Sequence, residues 1–242
     1  MNNDKFNRLA RYIPFDRFEN VCASGLFLAN ATLFDDRQEG YIAVKSLFPD
    51  IDERSLKNIE IMKSYFYISS WYAGIEESRE MRNRYGEVCI ETSWEQLKTI
   101  SRRYGENNQT HNIIIGRIQY VNSSDNGVGD KKPNWEWDYW TEKNHNPQSG
   151  LNLCSIKTFQ GLFFKYDNFS DEKEVRLICD SFHGGNRGVA FKNDKNGIRI
   201  PLNTSFFSRI VLSTDKFMLM KDHVEKVLKK YGHETEIVCS NL

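Results

Sequence analysis

The chain has 242 residues, with 33 acidic and 33 basic side chains, so its formal charge at neutral pH is zero. That length suits one large domain, or one domain with an insertion, and is enough to bury a substantial core. The charge balance singles out no partner, and a local basic groove is compatible with it; no apolar run approaches the ~20 residues of a membrane span, and the opening Met-Asn-Asn-Asp-Lys lacks the apolar core of a signal peptide.

Residues 9–13 are an apolar run that carries Arg11 and Tyr12. Asp16-Arg-Phe-Glu19 has the spacing of a helix start; Phe18, Val21 and Cys22 share one face, and Gly25 stops the helix. Residues 26–29 read as a short strand and 34–40 as a polar turn. A helix is expected over about 53–64. Residues 65–71, Tyr-Phe-Tyr-Ile-Ser-Ser-Trp, have strong strand propensity. A polar helix over about 76–85 ends at Gly86, and 87–92 is extended. Ser93-Trp-Glu-Gln96 repeats the capping spacing and opens a helix with Trp94, Leu97 and Ile100 along it. Residues 111–121 read as one apolar strand. The stretch 122–134 is a loop of a length that is often functional, followed by Trp135, Trp137, Tyr139 and Trp140. A helix over 151–164 leads into a strand over 173–179. Gly184 and Gly185 mark a turn, and 198–202 and 209–212 are strands. The chain closes on a helix with Phe217, Met220, Val224, Val227 and Tyr231 on one face, a stop at Gly232, and an extended segment over 236–239. Strands and helices mix without strict alternation, which gives an α+β fold, expected as a single domain over 1–242 with a loop insertion at about 122–134.

Most common chemistries find no support. Cys22, Cys89, Cys154, Cys179 and Cys239 lack metal-type spacing and mostly lie in apolar runs, as buried thiols of a reducing, cytoplasmic protein do. His111, His145, His183, His223 and His233 show no metal spacing either, so no metal is expected. No G-x-G-x-x-G follows a strand, and His183-Gly-Gly-Asn-Arg-Gly188 lacks a P-loop ending and reads as a turn. The 135–140 aromatics have no interleaved basic residues, so they close a core more readily than they stack bases. Ser69 and Ser70 lack a nucleophile elbow. Lys221, Lys226, Lys229 and Lys230 form a solvated helix face.

Three segments set polar groups inside apolar strands: Arg11 with Tyr12; Tyr67-Ile-Ser69-Ser70-Trp71; and Glu172-Lys-Glu174-Val-Arg176. In a strand over 173–179, Glu172, Glu174 and Arg176 face one side while Val175 and Leu177 face the core. Two acids so placed steer a cationic transition state, or they form a solvated sheet edge. The order of the three segments, Arg, then aromatic-x-Ser-Ser, then Glu-x-Glu, resembles the Arg-Ser-Glu class of the ADP-ribosyltransferase superfamily. The second motif departs from the family's Ser-Thr-Ser at Ser70 and Trp71. The chain also resembles a bacterial family of unknown function with an early Arg-Tyr, a Phe-Asn-Asp-Pro-x-Glu turn and a late Glu-x-Glu-x-Arg. Here the turn reads Phe34-Asp35-Asp36-Arg37-Gln38-Glu39, with Asp for Asn and Arg for Pro.

The resemblance implies a split β-sheet core with flanking helices and NAD as substrate, with no metal. It implies Glu174 at the ribose, Glu172 orienting or deprotonating the acceptor, and Ser69 positioning the ribose or Glu174. Arg11, beside Tyr12, would hold the pyrophosphate, Ser70 would extend the serine motif, and Tyr67, Trp71 or Tyr72 would stack on nicotinamide. The segment 165–171, with Tyr166 and Phe169, would recognise a macromolecular acceptor, protein or nucleic acid. Such enzymes act as bacterial toxins, anti-phage defence effectors or phage modifiers, and an antitoxin or other neutralising partner is among the expected partners. The alternatives are an NAD glycohydrolase on the same fold, a non-catalytic binding module, and a nuclease or nucleic-acid binder whose affinity falls with salt.

Overall fold

The computed structural model describes residues 8–34, 57, 61–107, 112–122, 134–138, 161–181 and 196–242. The chain forms two compact units interleaved in sequence: Met1–Phe27, Trp71–Ser101 and Arg199–Leu242 in the first, Leu28–Ser70 and Arg102–Ile198 in the second. Both mix strands and helices, so the α+β expectation holds. No described helix is long and apolar enough to cross a membrane.

The first unit carries β1 (Leu9–Ile13), α1 (Phe15–Ser24), α2 (Arg79–Tyr85), β4 (Val88–Thr92), β11 (Arg209–Leu212), α4 (Phe217–Lys230) and β12 (Glu236–Cys239). β12 pairs parallel with β11, β11 antiparallel with β4, and β4 antiparallel with β1, with Arg11 opposite Ile90. On one face Ala10, Tyr12, Cys89 and Val211 pack with Tyr72, and Met81 of α2 lies against them. α1 buries Phe18, Val21 and Cys22, as its 3–4 spacing requires. Gly25 caps it at φ 95, where a Cβ would stand 2.4 Å from the carbonyl oxygen of Ile200. α4 buries Val224, Val227 and Leu228.

β2 (Leu26–Asn30) and β3 (Phe66–Tyr72) run from one unit into the other, as does α3 (Trp94–Asn107), whose Ser93 hydroxyl accepts from the Gln96 amide as the capping spacing implies. The second unit adds β5 (Asn112–Arg117), β6 (Gln119–Val121), β7 (Asn134–Asp138), β8 (Phe164–Tyr166), a 3-10 turn (Asp167–Glu172) and β9 (Glu174–Asp180). β9 lies between β3 and β5, and β5 pairs antiparallel with β9 and β7. Phe66, Ile68, Ile114, Ile178, Leu162 and Phe163 make the core on one face of these strands.

Some boundaries differ from expectation. The single strand over 111–121 is two: the Ile118 amide makes the last rung with β9, to the Glu174 carbonyl, and the chain then leaves β9, so that β6 pairs parallel with β8 in a separate two-stranded ribbon. Of the expected helix over 151–164, residues 151–160 lie outside the described residues, and Phe164 belongs to β8. Of the expected helix over 53–64, residues 57 and 61–63 are helical; its residues 53–56 and 58–60, most of the loop over 122–134, Tyr139, Trp140, Cys154 and the turn at 183–188 lie outside the described residues.

Candidate active site

The two acids are not neighbours on one strand face. Glu172 closes the 3-10 turn, Lys173 adopts a left-handed conformation at φ 40, ψ 49, and Glu174 opens β9. Both carboxylates nonetheless reach one cation. The Lys165 ammonium on β8 stands 2.7 Å from Glu172 Oε2 and 2.8 Å from Glu174 Oε2. Arg176, fully buried, adds Nε to Glu174 Oε1 at 2.6 Å and donates through Nη1 to the Leu162 carbonyl. The Ser70 hydroxyl also hydrogen-bonds Glu174. Glu172 and Glu174 are 5% and 4% exposed, and the strand that Glu174 opens is an interior one buried along its whole length, so the solvated-edge reading fails.

The main chain here is anchored too. The Glu174 amide donates to the Tyr120 hydroxyl at 2.9 Å, and its carbonyl accepts from Ile118. Tyr120 and Lys165 are register partners on the β6–β8 ribbon. That ribbon therefore supplies both the phenol that fixes the start of β9 and the ammonium between the acids. Burial pushes the Glu174 carboxyl up, against the pull of Lys165 and Ser70. Burial opposes the Lys165 ammonium as well, but Glu174 and Glu172 outweigh it and hold the lysine above its ordinary value. Two acids and two bases thus form a charge-neutral cluster, which is how buried charges are tolerated.

The serine motif meets the acids through Ser70 rather than Ser69. Phe66 and Ile68 share a core with Ile178, so alternation puts Ser70 on the face of Glu174 and Arg176, and Tyr67 and Ser69 on the other. Tyr104 of α3 interacts with both Tyr67 and Cys179 on that second face. Ser69 and Tyr67 are both buried there. Trp71, in the first unit, is 1% exposed and meets Phe206 in a T-shaped contact with ring centroids 6.0 Å apart, so it is a core side chain in this structure.

Arg11 and Tyr12 are also in the first unit. The Tyr12 hydroxyl accepts from the Ser78 amide at 2.9 Å, the Arg82 guanidinium lies 5.5 Å from its ring centre, and burial raises the phenol to about 12. Tyr12 is thereby a packing residue. Arg11 is half-buried and donates to the Phe27 carbonyl at 3.2 Å; burial, with repulsion from Arg17, lowers it to about 10, still a cation at neutral pH.

Lys165 and Tyr120 carry roles that the motifs did not assign. The signal for Lys165 was a lone cation inside Leu162-Phe-Phe-Lys-Tyr166, a segment otherwise built for burial. Tyr120 left no such mark. Among the described residues, no three His, Cys, Asp or Glu side chains gather as a metal site. Comparison with protein-family models, with curated proteins and with solved structures finds no match to this chain.

Proposed function

We propose that the chain is an NAD-consuming ADP-ribosyltransferase built on the split-sheet core of that superfamily. The observation that carries this reading is the meeting of Ser70, Glu174 and Glu172 at one buried point, where the carboxylates already hold a positive charge. Breaking the bond between ribose C1′ and the nicotinamide nitrogen leaves the electron pair on nicotinamide and an oxocarbenium-like ribose. A carboxylate fixed there stabilises that cation more than the ground state, which is what lowers the barrier. Glu174 is the ribose-facing group and Ser70 orients it. The acceptor then bonds to C1′, and its proton passes to Glu172. Arg11 enters as the pyrophosphate ligand through motif order alone.

Incubation with labelled NAD and a cell lysate tests the reading. Label transfer that Glu174→Gln abolishes is the expected result, and nicotinamide release without macromolecular label would assign water as acceptor, a glycohydrolase. No release from the wild type would remove the enzyme reading. One observation favours a second, non-catalytic reading: the Glu172, Lys165, Glu174 and Arg176 cluster is neutral and self-satisfied, as a structural lock is. In that case Glu174→Gln lowers stability and leaves partner binding intact.

A further inference from the structure

The group between the two acids is one of the chain's own side chains. Lys165 Nζ lies 2.7 and 2.8 Å from the carboxylates, and its side chain is 13% exposed, with Phe169 5.4 Å from the ammonium. A carboxylate pair arranged for a cation is closed to an external cation, formed or arriving, while an internal ammonium fills it. We propose that Lys165 is an internal occupant of the acid pair, a latch that has to swing out before Glu172 and Glu174 can act on a ligand; this rests on the transferase reading above.

The surroundings show which part can move. The Glu174 backbone is held by the Ile118 amide and the Tyr120 hydroxyl, and its carboxylate by the fully buried Arg176. Lys165 is the partner at the end of a flexible four-carbon stem, with a strongly hydrated head. A change of lysine rotamer opens the pair without shifting β9. Glu174 then keeps Arg176 and Ser70, so it is not left as an uncompensated charge. Substrate binding is weakened by the fraction of molecules in which the latch is shut, as for any site whose competent state is a minor one.

Two readouts separate the latch from the reaction. One is carbodiimide labelling of Glu172 and Glu174, located by peptide mass spectrometry; the other is nicotinamide release from NAD. In Lys165→Met we expect labelling to rise several-fold and nicotinamide release to rise about tenfold, the effect of a competent fraction near one tenth in the wild type. Lys165→Arg should keep the pair closed by both measures. A folded Lys165→Met labelled no faster than wild type overturns the latch, and so does measurable nicotinamide release that is equal in the two proteins. Faster labelling with no nicotinamide release from any variant supports the latch and removes the transferase reading. Should Lys165→Met fail to fold, the double variant Lys165→Met with Glu172→Gln restores charge neutrality. Faster labelling of Glu174 is then the expected result, and unchanged labelling the contrary one.

Discussion

Lys173 holds the backbone turn that brings both acids to one ammonium. Its φ of 40° is the single positive value at a non-glycine residue among those described. The left-handed region costs an L-residue roughly 1–2 kcal/mol, and the surrounding bonds hold it there. Lys173→Gly removes that strain but adds ~0.5–1 kcal/mol of unfolded-chain entropy. Its stability in urea unfolding should therefore match or exceed the wild type, whereas Lys173→Val should lose ~1–2 kcal/mol. A glycine variant clearly less stable than wild type would contradict a strained turn. Arg176 makes a sharper case. It is fully buried against Glu174, so Arg176→Met leaves that carboxylate short of a partner and should cost ~3–5 kcal/mol. Adding Glu174→Gln to Arg176→Met should recover a large part of the loss, because the unpaired charge is gone. A double variant that simply sums the single losses would show that the pair does not interact.

At the scale of elements, stops and caps were readable because they are local. Gly25 and Gly86 end α1 and α2, and Ser93 caps α3. Gly86 sits at φ 140 with a notional Cβ 2.3 Å from the Ile13 carbonyl carbon. Gly86→Ala therefore combines a strained backbone with a backbone clash, and should lower stability by more than ~1 kcal/mol in thermal or urea unfolding. A neutral effect would mean that β1 and α2 do not meet there. What the sequence hid is non-local. The break after Ile118 depends on a change of partner from β9 to β8, far along the chain, and no property of residues 111–121 announces it. Which serine faces the acids depends on the pairing of β3 with its neighbours, and a shift of one residue exchanges the faces. The bare Glu-x-Glu pattern matched a strand face. The structure replaces the first half of it with a 3-10 turn, and the lysine that unites the acids comes from another element.

For the stability of the molecule as a whole, His233 matters more than its quiet sequence context indicates. It follows α4, is buried, and sets its ring edge-on to Phe207 at 4.8 Å between centroids. Phe207 packs in turn on Phe18 of α1 and on Phe206. A charged imidazolium in that aromatic cluster loses hydration, so burial lowers the His233 pKa below its ordinary value, against hydrogen bonds to the backbone of Thr204 and Cys22. The sign follows from linkage. The unfolded chain takes up a proton near pH 6.5 and the folded chain only at lower pH. The histidine's contribution is thus complete above pH 6.5 and drains away as the pH falls from there toward the folded pKa, with a slope of at most ~1.4 kcal/mol per pH unit for one proton. His233→Gln keeps a neutral polar side chain and cannot take the proton. Urea unfolding at pH 7.5, 6.5 and 5.5 should show the wild type losing stability across the lower interval faster than the variant, with the two running parallel above it. Parallel lines through the whole range would mean that His233 is as readily protonated folded as unfolded, and that the cluster around Phe207 admits water.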